Sequence, residues 1–117
     1  MRPPLPKFQV EIVDVAQGKL VRIKGEVNTE EADGLRAQLM ALLNRRPKLV
    51  VFDLADLRFI ASAGLGVLAA LRRSLLSAGS QGRLAAIPEK LREVMRVAGM
   101  TQLYAVFNTV DEALAAP

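Results

Sequence analysis

The segment Lys48–Leu54 is a short, nearly continuous apolar run, and it restricts the possible folds of this chain more than any other feature. A strand that is apolar along its length is buried on both faces, which is typical of sheets whose strands are joined by crossover helices. The chain has 117 residues, enough for one domain with its own core and too few for two. Only 4% of the residues are aromatic, so we expect an aliphatic core.

Two strands and a helix are predicted before this segment. Phe8–Val15 and Leu20–Val27 alternate apolar and polar residues, and the glycine-containing turn between them predicts an antiparallel hairpin. Asn28 is then a suitable N-cap, and Glu31 occupies the third helical position, where a capping box has its acidic residue. The helix ends before Pro47, because proline disfavours helical backbone in the residue that precedes it.

Helical patterns recur in the second half of the chain. A long helix is predicted from Ser62 to about Ser77, a second begins at Pro88, and a last short one ends at Ala115. Because helices separate the later strands, the predicted fold class is α/β. We expect a mixed sheet of four to five strands, mostly parallel beyond the N-terminal hairpin, covered by about four helices.

Two further strands and the domain boundary complete this prediction. The strands cover residues 83–87 and 103–107. Residues 1–7 are rich in proline and are predicted to form a short arm, so the domain covers residues 8–117. The predicted buried side chains are Leu35, Leu39, Val50, Phe52, Leu68, Leu75, Leu91 and Val106.

The composition excludes several chemistries. The chain has no Cys and no His, so it offers no disulfide, no thiol nucleophile, no thiolate or imidazole metal ligand and no Ser-His-Asp triad. We therefore expect no catalytic residue, no metal and no cofactor. The first residues lack the apolar run of a signal peptide, and no stretch is long and apolar enough for a membrane span. These features predict a cytoplasmic protein with no membrane contact.

Charged residues give weaker indications. The net charge of +4 is spread over scattered basic residues, including Arg83 and the pair Arg72-Arg73, so nucleic-acid binding is not expected. Arg72-Arg73 is interpreted as the polar side of the long helix, with a rim contact to an acidic partner as the alternative. Asp53 and Asp56 either form a carboxylate pair near a site or stabilise the end of a strand.

Two glycines distinguish the start of the long helix. Gly64 and Gly66 lie in its first turns, where each costs roughly 1 kcal/mol relative to alanine. Either a partner approaches the helix closely there, or the helix packs tightly against its own sheet. A nucleotide site is not indicated, because the third glycine of a dinucleotide fingerprint and the Gly-Lys-Ser/Thr of a P-loop are both missing.

Ser62 also has two interpretations. It is either a plain N-cap or a hydroxyl that can be phosphorylated at an exposed helix start, where free N–H groups tolerate a phosphoryl group. The neighbours Ala61, Ala63, Gly64 and Val67 would form a small, apolar surface suited to protein docking. A phosphoryl group would make that surface unsuitable for docking.

The run Val50–Leu54, followed by Phe59–Leu68, resembles the STAS domain of bacterial anti-sigma-factor antagonists. The resemblance covers about residues 8–115 and includes Gly25-Glu26-Val27 and the closing segment Asp111–Leu114. It implies a STAS-like α/β domain. In that family, the serine matching Ser62 is phosphorylated by a partner kinase that is also the anti-sigma factor.

The resemblance also implies how such a switch works. The unphosphorylated antagonist binds the anti-sigma factor, a serine protein kinase, and frees the sigma factor; phosphorylation breaks the complex and a serine phosphatase restores it. Magnesium-ATP belongs to the kinase, so the chain itself is expected to be a binding module without cofactors rather than an enzyme. We expect it to be a monomer or a weak homodimer.

The residues expected to form the partner-binding surface include the phosphorylation site. Many family members have aspartate where this chain has Ala61 and Asn28, so this site carries less negative charge than theirs. The expected partner-binding residues are Asn28, Thr29, Ala61, Ser62, Ala63, Gly64, Leu65, Gly66 and Val67.

Two other functions stay open at this point. The chain could be a STAS subunit of a transporter-associated or stress-sensing assembly that uses the same surface without phosphorylation. It could also be a small enzyme or nucleotide-binding domain, although the missing histidine, cysteine and phosphate loop disfavour that hypothesis.

Overall fold

Six strands and five helices are found in the part of the chain that the computed structural model describes, residues 8–117. The arm predicted over residues 1–7 lies outside the described residues. The elements, in chain order, are β1 (Phe8–Val15), β2 (Gly18–Val27), α1 (Thr29–Leu43), β3 (Leu49–Asp53), β4 (Leu57–Ile60), α2 (Ser62–Ser77), β5 (Gln81–Ala85), α3 (Glu89–Val97), α4 (Met100–Leu103), β6 (Ala105–Phe107) and α5 (Val110–Ala115). Within this described range, no helix has both the length and the apolar character needed to cross a bilayer.

The strands form one mixed sheet in the order β1-β2-β3-β5-β6. β1 and β2 pair antiparallel, which confirms the predicted hairpin, and all other pairs are parallel. β2 pairs with β3 over Lys19–Arg22 and then with β4 over Gly25–Val27, after an irregularity in the register. β4 was not predicted, and it raises the number of strands to six. The predicted mixed α/β class is confirmed.

Gly18 is required where the hairpin turn meets β3. A Cβ atom at this position would lie 2.1 Å from the carbonyl oxygen of Leu49, and the φ angle of Gly18 is +154°. Any other residue would clash with the backbone at the start of β3. The glycine therefore allows the hairpin and the central strand to lie side by side.

β3 is buried on both faces, as its apolar sequence predicts. Val50 and Phe52 belong to the larger core, which helices α1 to α4 cover. Leu49 and Val51 belong to a second, smaller core on the opposite face, where α5 contributes Ala113. The domain thus has three layers, with four helices on one side of the sheet and one short helix on the other.

The predicted core is confirmed at seven of its eight positions, and the exception is Val106. This side chain is 42% exposed, because β6 is an edge strand of only three residues. The strand predicted over residues 103–107 begins two residues later than expected. Gly99 adopts a left-handed conformation with φ of +80°, and a short helix, α4, follows it through Leu103.

Arginine side chains fasten the last elements to the rest of the fold. Arg83 is buried, and its Nη1 donates to the carbonyl oxygens of Ala113 at 2.6 Å and Ala116 at 2.9 Å. Its guanidinium carbon also lies 5.7 Å from the centre of the Phe107 ring. These contacts place Arg83 among the structural residues, because a cation at a helix C-terminus is favoured by the helix dipole.

Tyr104 and Arg72 connect the segment after α4 to α2. The Tyr104 hydroxyl donates to the carbonyl oxygen of Leu68 at 2.6 Å, and its ring meets Phe52 edge to face at 5.9 Å between centres. Arg72 Nε donates to the carbonyl oxygen of Leu103 at 2.6 Å. Arg72 therefore stabilises the end of α4, whereas its neighbour Arg73 is exposed.

Tyr104 is expected to make stability depend on pH in alkaline solution. Burial raises the pKa of Tyr104 above its ordinary value of about 10, so the unfolded chain ionises first as the pH rises. This contribution to stability is complete below pH 10 and is lost above it. Tyr104→Phe should cost about 1 kcal/mol at neutral pH, and the difference should shrink above about pH 10. Urea denaturation of both proteins from pH 7 to 11 measures this, and an unchanged difference would contradict it.

Candidate functional site

Two helices begin side by side at the end of the sheet formed by the carboxyl ends of β2 and β4. β2 and β4 are parallel, with Val27 opposite Ile60, and the amide of Ala61 donates to the carbonyl oxygen of Val27 at 2.8 Å. Because α1 and α2 follow these strands directly, Asn28 and Ser62 emerge at the same edge. The register thus brings together the two segments that the sequence suggested for the site.

Ser62 is the first residue of α2 rather than its N-cap. Ala61 occupies the cap position with extended backbone angles, φ −75° and ψ 164°, so the predicted N-cap is wrong by one residue. The Ser62 side chain is exposed, as predicted, and α2 has no side-chain cap. The first turn of α2 contains no acidic residue. Its free N–H groups therefore give this edge a partial positive charge.

The start of α1 differs from a capping box. Asn28 is the N-cap, as predicted, but its side chain does not cap the helix. Instead its Nδ2 donates to Oε1 of Glu31 at 3.4 Å, while the Glu31 amide donates to the Asn28 carbonyl oxygen at 3.1 Å. Glu30 and Glu31 both lie in this first turn. Of the two helix starts, only that of α1 therefore carries acidic residues.

Packing against the sheet explains why one of the two glycines of α2, Gly64, is needed. A Cβ atom on Gly64 would lie 2.8 Å from Cγ1 of Ile60 and 2.8 Å from Cγ1 of Val27. Both contacts are with β-branched side chains of the underlying strands, which have little freedom to move. Gly64 is buried, and its missing side chain lets α2 lie close to its own sheet.

Gly66 has no such explanation within the chain. A Cβ atom on Gly66 would meet no described atom within 4 Å, and the residue is exposed. Alanine would fit and would favour the helix by roughly 1 kcal/mol. The packing interpretation therefore applies to Gly64, and the close approach of another molecule stays the hypothesis for Gly66.

The surface around Ser62 consists of small and partly buried side chains. Thr29 and Ala63 are exposed, and Leu65 and Val67 are half-buried against the main core. Because few side chains project from this surface, another molecule could approach the backbone of α2 closely.

Phe59 is an exposed apolar side chain close in the chain to Ser62 that was not predicted from the sequence. Phe59 lies on β4 opposite Glu26 of β2, three residues before Ser62, and is 45% exposed. Because β4 was not recognised as a strand, no face could be assigned to this side chain. The burial pattern of β4 is not a strict alternation, because Arg58 and Phe59 are both exposed, so the sequence alone carried no clear signal for this side chain.

Asp53 and Asp56 do not form a carboxylate pair. Asp53 Oδ2 lies 3.4 Å from Nε of Arg22, and its Oδ1 accepts a hydrogen bond from the amide of Ala55 at 3.0 Å. Asp56 is exposed in the following turn. The structural interpretation of Asp53 is thus the correct one: it stabilises the end of β3.

An open groove of about 560 Å³ lies along β2, β4 and the start of α3, and no residue of the candidate site lines it. Its charged lining residues are Lys24, Glu26, Asp56, Arg58 and Lys90. Three bases and two acids nearly cancel, so the lining does not have the concentrated positive charge that holds a phosphate cofactor.

Comparison with known proteins identifies a family that shares this arrangement. Residues 7–113 match the model of the STAS domain family. The chain is 31% identical over 105 residues to BtrV of Bordetella bronchiseptica, which is provisionally named an anti-sigma factor antagonist. That match covers 89% of this chain and 90% of BtrV.

Several solved structures share the fold. The crystal structure of an anti-sigma factor antagonist from Mycobacterium paratuberculosis has a TM-score of 0.83 and 24% identity, over 92% of this chain and 91% of that chain. Unphosphorylated SpoIIAA has a TM-score of 0.74 and 21% identity over 92% of both chains. Phosphorylated SpoIIAA of Bacillus has a TM-score of 0.68 and 21% identity, over 92% of this chain and 96% of that chain. The STAS domain of a SulP transporter from Vibrio cholerae is less similar, with a TM-score of 0.65 and 15% identity over 80% of this chain and 75% of that chain.

The packing of Gly64 predicts a specific loss of stability. Gly64→Ala should destabilise the chain by about 1–3 kcal/mol, because the added methyl group overlaps two stiff side chains. Gly34→Ala is the matched control: Gly34 lies in α1 with nothing within 4 Å of its Cβ position, so this change should stabilise the chain by up to about 1 kcal/mol. Urea denaturation measures both free energies of unfolding, and equal effects would contradict the packing argument.

Proposed function

Because this chain belongs to the STAS domain family, we propose that it is an anti-sigma factor antagonist that binds its partner through the start of α2. The name of BtrV, the relative with 31% identity, supports this function. The observation that carries the proposal is the exposed Ser62 at the first position of α2. Close to it is Gly66, where a side chain would meet only open space.

The proposed partner is an anti-sigma factor that is also a serine protein kinase. It binds the unphosphorylated surface and then transfers the γ-phosphoryl group of its own ATP to the Ser62 oxygen. A new O–P bond forms, the bond to ADP breaks, and the hydroxyl proton passes to a base of the kinase. A serine phosphatase removes the phosphoryl group by hydrolysis. These encounters would take place in the bacterial cytoplasm.

Electrostatics supports phosphorylation as the step that releases the partner. A phosphoryl group adds a charge of about −1.5 to −2, which the free N–H groups of α2 tolerate while the site faces water. In the complex the same charge would have to lose its water among small apolar side chains such as Ala63, which is costly.

The Ser62 switch is tested with three proteins and the cognate anti-sigma factor kinase. Ser62→Ala should bind like the wild type, since Ser62 is not the cap and its hydroxyl is not needed for an apolar contact. Ser62→Glu should stay folded, because a carboxylate suits a helix start, but should bind more than tenfold more weakly, which needs only about 1.4 kcal/mol. Calorimetry gives the affinities; equal binding of Ser62→Glu and the wild type would rule out the charge switch.

Intact-mass analysis separates this function from a STAS module that acts without phosphorylation. After incubation with the kinase and ATP, the wild type should gain one phosphoryl group and Ser62→Ala should gain none. A wild-type chain that binds the partner but gains no phosphate would favour the alternative, an assembly subunit of the transporter-associated or stress-sensing kind.

Gly66 provides an independent test of where the partner binds. Gly66→Ala should stabilise the free chain by up to about 1 kcal/mol, because the methyl group meets open space on a helix. It should nevertheless weaken partner binding at least tenfold, since it holds the partner away from the backbone of α2. Gly34→Ala, which stabilises α1 away from the site, should leave binding unchanged. If Gly66→Ala binds as tightly as Gly34→Ala, the partner does not approach α2 at this point.

A further inference from the structure

The outer edge of the sheet at β1 is unusually open to strand pairing. β1 has eight residues and pairs with β2 in regular register along its whole length. No described residue between positions 8 and 117 pairs with its other side. At the opposite end of the sheet, β6 has only three residues, which limits pairing there.

β1 also lacks most of the features that usually protect an edge strand, and its two charged side chains are already paired. Edge strands avoid association through charged side chains, above all lysine, and through proline, a bulge or a very short length. Phe8–Val15 contains no lysine and no proline, and its register with β2 is continuous. Ile12 and Val13 project from opposite faces of the strand and are 42% and 38% exposed.

The two acidic side chains of β1 are neutralised within the same chain. Glu11 lies 3.2 Å from Nζ of Lys24 and 3.8 Å from Nη1 of Arg22. Asp14 is paired with Lys19. All three cations belong to β2, so the hairpin as a whole brings no excess of negative charge to its free edge.

From these observations we infer that two copies of this chain pair through β1, antiparallel and edge to edge, to form one continuous sheet. The turn between β1 and β2 has two residues, so Val15 and Gly18 form the hydrogen-bonded pair next to it. Strict alternation then points the N–H and C=O groups of Val10, Ile12 and Asp14 away from β2. These are the groups that a second β1 strand would bond.

The sequence of β1 suits this self-pairing in one register. A two-fold axis normal to the sheet at Ile12 places Glu11 of each copy opposite Val13 of the other. Val10 then lies opposite Asp14, so no two acidic side chains face each other. The two isoleucines at the centre form an apolar cross-strand pair. The α2 start lies at the end of β4, on the other side of β2 from β1, so both copies keep their Ser62 surfaces.

Sedimentation velocity on the full chain tests the pairing. We expect a reversible monomer–dimer equilibrium between about 10 μM and 1 mM, a range that covers weak specific complexes. Ile12→Lys places a charge at the centre of the interface and should raise the dissociation constant at least tenfold. Val97→Lys is the matched control, because Val97 is 71% exposed at the C-terminal end of α3, a helix that packs mainly against α4. It should dimerise like the wild type.

Each other outcome overturns the inference. A wild type that stays monomeric over the whole range excludes the dimer. A dimer that Ile12→Lys leaves intact, or that Val97→Lys abolishes, uses another surface. Hydrogen exchange gives a second measurement for the wild type: protection of the Ile12 amide should increase with protein concentration. Ser62→Glu should dimerise normally, so the result does not depend on the proposed partner switch.

Discussion

The burial of β3 on both faces is the constraint on which the rest of this structure depends. Val50 and Phe52 need the cover of α1 and α2, and Leu49 and Val51 need the cover of α5. Each apolar side chain removed from water contributes roughly 1.5–3 kcal/mol. Removing the helices from either face would therefore cost a large fraction of the stability of a small domain. The buried guanidinium of Arg83 holds α5 in place and thus protects the second face.

The same constraint produces the candidate site. A strand that is buried on both faces, such as β3, has parallel neighbours. Parallel neighbours are joined by crossover helices, which begin where the strands end, at their carboxyl ends. When β4 continues the pairing of β2 beyond β3, the helices after β2 and β4 begin next to each other. The hydrogen bond from Ala61 to Val27 fixes that neighbourhood, and Gly64 allows α2 to leave the sheet without a clash. The close packing of Gly64 therefore sets how near to the sheet α2 begins.

Segments with a strong periodic pattern could be predicted from sequence, and segments set by tertiary contacts could not. The hairpin, α1, β3 and α2 follow their patterns to within about two residues. β4 has only four residues, and α4 depends on the left-handed backbone of Gly99, so neither has a pattern of its own. In the site, the exposure of Ser62 follows from its place at a helix start. The roles of Gly64 and Gly66 could not be separated, because the difference between them is the presence of Val27 and Ile60 beneath only one of the two.

The charges around Ser62 determine how much a phosphoryl group on this residue could change the affinity for a partner. Phosphorylation shifts an equilibrium only by the difference between its cost in the complex and its cost in the free chain. The first turn of α2 has no acidic residue, so its unphosphorylated start carries about half a positive charge from the helix dipole. An acid at position 61 would already offset that charge, whereas here Glu30 and Glu31 place the acidity on the neighbouring helix. A phosphoryl group on Ser62 would therefore reverse the sign of the α2 surface, while the free N–H groups keep its cost low in the free chain. A tenfold loss of affinity needs only about 1.4 kcal/mol, less than the cost of taking an unpaired charge out of water, so this arrangement is sufficient for a switch without any change of fold.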